Sequence, residues 1–137
     1  MTYPLAFSTW GKEEVEAIKR VIDTDMYTMG RHVKQFEQEF AETFGSPHAV
    51  MVNSGSSANL LMLSLLKWKY KLTGDIIVPV VGWATTYFPI TQNGFRINFV
   101  DVDPDTWNID VSKIEAAITP DTCAIMAVNL LGNSCDY

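Results

Sequence analysis

Three stretches of this chain carry residue types that could act on a ligand. The first is Asn53-Ser54-Gly55-Ser56-Ser57-Ala58-Asn59, a run of small and hydroxyl residues between two apolar segments. At a strand-to-helix junction, such a run leaves the first amides of the helix free. The positive end of the helix dipole and the serine hydroxyls add to them, and together they suit a phosphate. An ordinary serine-capped helix start uses the same residues, so spacing alone leaves both readings open. The run is neither GxGxxG nor GxxxxGK, which weakens dinucleotide and nucleoside-triphosphate readings. The second stretch is Val80-Val81-Gly82-Trp83-Ala84-Thr85-Thr86-Tyr87-Phe88-Pro89. Trp83 stands at the mouth of the preceding strand, where an indole could stack on a flat ring whose phosphate sits at Ser56 and Ser57. Taken alone, Trp83 reads more readily as a core aromatic. The third is Asp25-Met26-Tyr27-Thr28-Met29-Gly30, a glycine-ended connector whose Tyr and Thr could contact a sugar or an amino acid.

The elements that must hold these stretches follow from periodicity. Val15, Ile18, Val21 and Ile22 share one face of a helix over about 12–23, and Val33, Phe36, Phe40, Ala41 and Phe44 share a face of a second, closed by Gly45. His48–Asn53 reads as a buried strand and 58–68 as a helix. Ile76–Val78 reads as a strand, 83–92 as a short helix and Phe95–Val100 as a strand. Asp110 is placed to cap a helix bearing Val111, Ile114 and Ile118, and Cys123–Val128 reads as a last strand. Short apolar strands alternating with helices predict an α/β fold, a mostly parallel sheet with helices on both faces. Ligands of such sheets bind beyond the carboxyl ends of the strands, here the loops after Val52, Val78, Val100 and Val128. The expected organisation is two leading helices over 1–46 and βα units over 47–137. The last strand is followed by few residues, so the domain is expected to be incomplete.

Composition narrows the class. Apolar residues make up 47% of the 137 residues and charged residues 19%, a globular balance. Sixteen acidic against ten basic residues give a net charge of −6, which argues against nucleic acid and anionic membranes as partners. No run is long enough to span a membrane, and Met1-Thr2-Tyr3-Pro4 lacks the marks of a secretion signal, so a cytoplasmic protein is expected. Cys123 and Cys135 with His32 and His48 make no metal-ligand pattern. Asp101, Asp103 and Asp105 read as a solvated turn.

Several of these segments together resemble the DegT/DnrJ/StrS family of sugar aminotransferases and dehydratases, which are fold-type I pyridoxal 5′-phosphate (PLP) enzymes. They are Asn53-Ser54-Gly55-Ser56-Ser57-Ala58, the TxG of Thr28-Met29-Gly30, Phe36-Glu37, and Phe99-Val100-Asp101-Val102-Asp103 with Asn108-Ile109-Asp110. Tyr3-Pro4-Leu5-Ala6, Ser8-Thr9-Trp10, Met26–Met29, Gly82–Pro89 and Asn129–Asn133 look most like the members that dehydrate a nucleotide-linked 4-keto-6-deoxyhexose at C3.

The resemblance implies that Gly55, Ser56 and Ser57 hold the PLP phosphate and that Trp83 stacks on its ring. It implies that Met26, Tyr27, Thr28 and Met29 lie near a nucleotide-linked keto-sugar at a homodimer interface, and that L-glutamate converts PLP to pyridoxamine 5′-phosphate. It puts the proton-transferring Lys or His, and the carboxylate that partners the ring nitrogen, beyond residue 137. A Lys there implies an aminotransferase and a His a 3-dehydratase. The seven lysines present all fall on helices or their ends, and none reads as a Schiff-base residue. The expected activity is deoxysugar-forming dehydration in the whole enzyme, with an aminotransferase as the alternative. A non-catalytic segment is the third reading, and these 137 residues alone are expected to be inactive.

Overall fold

Two amphipathic helices come first, as their apolar spacing requires. The structure is a computed structural model describing Pro4 and residues 6–137; Tyr3 and Leu5 of the amino-terminal motif lie outside the described residues. The chain forms two units, Met1–Met51 and Val52–Tyr137. In the first, α1 (Lys12–Ile22) carries Glu13 and Glu14 in its first turn and Lys19 and Arg20 in its last, each matching the helix dipole. The Gly11 amide donates to the Glu14 carboxylate at 2.7 Å, which holds that carboxyl below its ordinary pKa. Helix α2 (Arg31–Thr43) stacks Phe36, Phe40 and Phe44 along one stripe, with ring centroids 5.6 and 4.4 Å apart. It ends at Gly45, whose φ of +62° is the left-handed stop expected of glycine. Val15, Ile18 and Ile22 of α1 and the three phenylalanines of α2 all remain exposed.

The second unit runs α3 (Gly55–Lys69), β1 (Asp75–Pro79), α4 (Ala84–Gln92), β2 (Arg96–Val100), α5 (Val111–Ala117) and β3 (Thr122–Ile125), then a short helical turn at Leu130–Gly132. The sheet order is β2-β1-β3 and both ladders are parallel. Central β1 is apolar after Asp75 because it is covered twice. Ile76 and Val78 pack with Leu63, Ile90 and Phe95 under α3 and α4, while Ile77 packs with Val100 and Ile109 on the α5 side. Helices therefore cover both faces of a parallel sheet, as the alternating pattern predicted. Asp110 caps α5 by accepting the Ser112 amide at 3.1 Å.

His48–Asn53 departs from expectation. It is not a strand but irregular chain, with Val50 71% exposed and the Met51 amide donating to Glu37 Oε1 at 2.9 Å. A strand exists only where a neighbour takes its backbone groups, and this stretch forms no ladder among the described residues. The three strands that do form are those whose edges meet.

Candidate functional site

Ser54 is the N-cap of α3, extended at φ −163° and ψ 161°, and its hydroxyl accepts the Ser57 amide at 3.2 Å. The first intrahelical bond runs from the Ala58 amide to the Ser54 carbonyl at 3.0 Å. This leaves the amides of Gly55 and Ser56 as the uncommitted donors of the first turn. The Ser56 hydroxyl has no partner among the described residues, whereas Ser57 Oγ donates to Asn53 Oδ1 at 2.6 Å. A Cβ built on Gly55 would meet nothing within 4 Å, so the backbone here is open to close approach. Free amides, a free hydroxyl and the start of a 15-residue helix fit the phosphate of a cofactor such as PLP.

Trp83 sits at the matching place one unit along. Strand β1 ends at Pro79, a three-residue loop follows, and Trp83 is the N-cap of α4. The Asn59 side-chain amide donates to the Thr85 carbonyl at 3.3 Å. That bond ties the first turns of α3 and α4 together at the carboxyl end of the sheet. The serine run and Trp83 thus share the end where ligands of such sheets bind. Trp83 is 68% exposed, which removes the core-aromatic reading.

A third segment reaches the same end, and its anchor was not singled out from sequence. Asn108, 5% exposed, lies in the connection after β2. Its Nδ2 donates to the carbonyls of Asn133 and Ser134 at 3.2 and 3.0 Å, and its Oδ1 accepts the Leu130 amide at 3.1 Å. Asn129 in turn accepts from the Cys135 amide and the Tyr137 hydroxyl, at 2.9 and 2.7 Å. The loop after β3 is therefore held through side-chain amides, and it presents Leu131, 93% exposed at a φ of +53°. An asparagine one residue before an apolar Ile109 was the available signal.

The acidic run behaves as a turn. Asp103 Oδ1 accepts from the Asp105 and Thr106 amides, both at 2.9 Å, and those bonds lower its pKa. Asp101 is lowered first by the Val102 amide and then by Lys113. Lys113 is itself raised by Asp110 and Asp101, at 3.1 and 3.3 Å, so it stays a charged structural cation and not a nucleophile. The other lysines lie on α1, α2 and α3 or, for Lys71, just after α3.

In the first unit, Met26, Tyr27, Thr28 and Met29 line a cleft of about 710 Å³ with Arg31 and His32. A Cβ on Gly30 would fall 2.7 Å from Met26 Sδ, so a side chain there would displace the Met26 thioether. No helix of the described residues is long and apolar enough to cross a membrane.

Comparison with known proteins agrees with the fold. Residues 8–137 match the DegT/DnrJ/EryC1/StrS aminotransferase family. The GDP-4-keto-6-deoxy-D-mannose 3-dehydratase of Yersinia pseudotuberculosis is 54% identical over 141 residues, which cover 100% of this chain and 36% of the relative. A crystal structure of GDP-4-keto-6-deoxymannose-3-dehydratase with a trapped PLP-glutamate geminal diamine superposes with a TM-score of 0.89. It is 52% identical and covers 98% of this chain and 36% of that one. The sugar aminotransferase CalS13 of Micromonospora echinospora superposes with a TM-score of 0.85 at 32% identity, covering 97% and 36%. The chain spans about a third of the length of the relatives it matches.

Proposed function

The chain belongs to the DegT/DnrJ/EryC1/StrS aminotransferase family, and from that footing we propose that it is the phosphate- and ring-binding part of a PLP-dependent enzyme. The whole enzyme removes the C3 hydroxyl of a nucleotide-linked 4-keto-6-deoxyhexose, with L-glutamate as amino donor. The observation that carries this reading is the Asn59–Thr85 bond, which puts the serine-rich helix start and exposed Trp83 at one end of one sheet.

In this reading the Gly55 and Ser56 amides and the Ser56 hydroxyl hold the cofactor phosphate. Ser57 acts mainly through Asn53, keeping the turn in shape. Trp83 covers the ring. When bound, PLP supplies an electron sink for proton movement at the neighbouring carbon. Residues 47–137 form the cofactor-binding part, and 1–46 bring Met26–Met29 to the substrate. The cleft beside that loop carries Arg31 and Lys34, whose charge suits a nucleotide diphosphate, with the His32 ring beside them. The whole enzyme works as a cytoplasmic homodimer.

The choice of dehydratase over aminotransferase rests on 54% identity to a dehydratase against 32–37% to aminotransferases, each over nine-tenths or more of this chain. Purified full-length enzyme carrying this segment is incubated with a GDP-4-keto-6-deoxyhexose, glutamate and PLP. A 3-deoxy product supports the proposal. A 4-amino sugar assigns the aminotransferase, and no cofactor-dependent product overturns both. The 137 residues alone are expected to give no turnover.

A further inference from the structure

We infer that Tyr87 is the positioning residue for Trp83, acting through the end of β1 and through Gly82. This rests on the reading of Trp83 as the ring-stacking residue.

The starting point is a carbonyl that the sheet leaves over. On the β3 side of β1, the Ile77 carbonyl accepts the Met126 amide at 2.8 Å. Backbone carbonyls two residues apart face the same way, so Pro79 presents the next acceptor on that side. Strand β3 has ended by then. The Tyr87 hydroxyl, reaching back from α4, donates to the Pro79 carbonyl at 2.9 Å. On the β2 side, the Val80 amide donates to the Val100 carbonyl at 2.8 Å. The Pro79–Val80 peptide, where the strand passes into the Trp83 loop, is therefore tied on both sides, once by backbone and once by Tyr87.

The same hydroxyl also bears on the loop. A Cβ on Gly82 would lie 2.6 Å from Tyr87 Oη and 3.3 Å from its Cζ. Position 82 is thus kept free of a side chain by the group that fixes Pro79. The Tyr87 ring is itself held edge-on to Phe99, with centroids 5.3 Å apart. Burial raises the Tyr87 pKa above that of an ordinary phenol, so the group remains a donor. Among the described residues the Tyr87 hydroxyl bonds only the Pro79 carbonyl, and its influence passes through the backbone that leads to Trp83.

The geometry sets a rescue experiment. Removing the hydroxyl leaves the ring carbon at 3.3 Å as the nearest obstacle to a methyl at position 82, a contact that small shifts relieve. Full-length enzyme labelled with 15N-tryptophan is prepared as parent, Tyr87→Phe, Gly82→Ala and the double variant, with Trp83→Phe to assign the Trp83 indole peak. Gly82→Ala should displace that peak, and the double variant should return it toward the parent position. Tyr87→Phe should move it less and weaken PLP binding about threefold to tenfold, as expected for one lost hydrogen bond. An unmoved Trp83 peak in Gly82→Ala, or a double variant no closer to the parent than Gly82→Ala, overturns the inference. The peak is read without cofactor. A parent that binds no PLP therefore defeats the proposed function while the indole shifts still decide the role of Tyr87.

Discussion

The two ends of the sheet are built to opposite rules. At the amino end, Gly74 sits at a φ of +116°, and any Cβ there would overlap the Asp121 carbonyl. The Asp75 amide donates to that same carbonyl at 2.9 Å, and Arg96 joins Asp75 and Asp121 at 2.6 and 2.8 Å. Donors and space are used up. At the carboxyl end, a Cβ on Gly55 meets nothing, the Ser56 hydroxyl has no described partner, and Trp83 is exposed. Stability is concentrated where the chain is closed, and binding capacity where it is open. Both ends use glycine, one because the space is full and the other because something must come close.

The sharpest way to break this contrast is Gly74→Ala. The substitution combines a left-handed φ with backbone overlap, and should cost about 3 kcal/mol or more. A denaturant midpoint close to the parent's would show that the amino end yields easily. Next in size is Ser56→Ala with Ser57→Ala at the other end. Losing the Ser56 hydroxyl bond to a charged phosphate, together with the Ser57–Asn53 bond that shapes the turn, should weaken PLP binding about tenfold or more. Ser56→Ala alone should leave the melting temperature where it was. A titration matching the parent's would put the phosphate elsewhere.

Asp121→Ala, which keeps the Asp121 backbone carbonyl and removes only the carboxylate, tests whether charge or shape closes the amino end. Arg96 and Asp121 are 63% and 69% exposed, so water and salt screen their pair, and the loss should be about 0–1 kcal/mol. A loss rivalling that of Gly74→Ala would reverse the ranking. The smallest effect concerns acid. Asp101, Asp103 and Asp110 all have lowered pKa values in the folded chain. Their contribution is full above the unfolded carboxylate value of about 4 and is lost as pH falls through the lower folded values. Urea midpoints at pH 6 and pH 3 should therefore fall with acid. A midpoint unchanged or higher at pH 3 would contradict these assignments.

Much of this was legible in the residues, where a local rule sufficed. Gly45 stopped α2 because its left-handed conformation is local, and Asp110 capped α5 for the same reason. The run Ile76-Ile77-Val78 announced a strand covered on both faces. The serine run and Trp83 could be placed at strand ends from the alternation of elements alone. What stayed hidden depended on partners far along the chain. His48–Asn53 looked like a strand because apolar content says nothing of a pairing edge. The roles of Asn108 and Tyr87 stayed hidden, because they lie in carbonyls 25 and 26 positions away for the first and 8 for the second. Gly74 gave no hint of its tightness, since the obstacle is the backbone of Asp121.

The order β2-β1-β3 also bears on how the molecule comes into being. The central strand is synthesised before both of its neighbours. β2 joins it after a single helix, and β3 arrives last on the opposite edge. Each new strand therefore adds to an edge already in place, and the shorter loop closes first. Folding can follow translation in the order of the sequence, with the α3–α4 core assembled before the α5 face exists. The second core waits for the second crossover, so the β3 side of β1 stays open to wrong partners on the ribosome for longer than the β2 side.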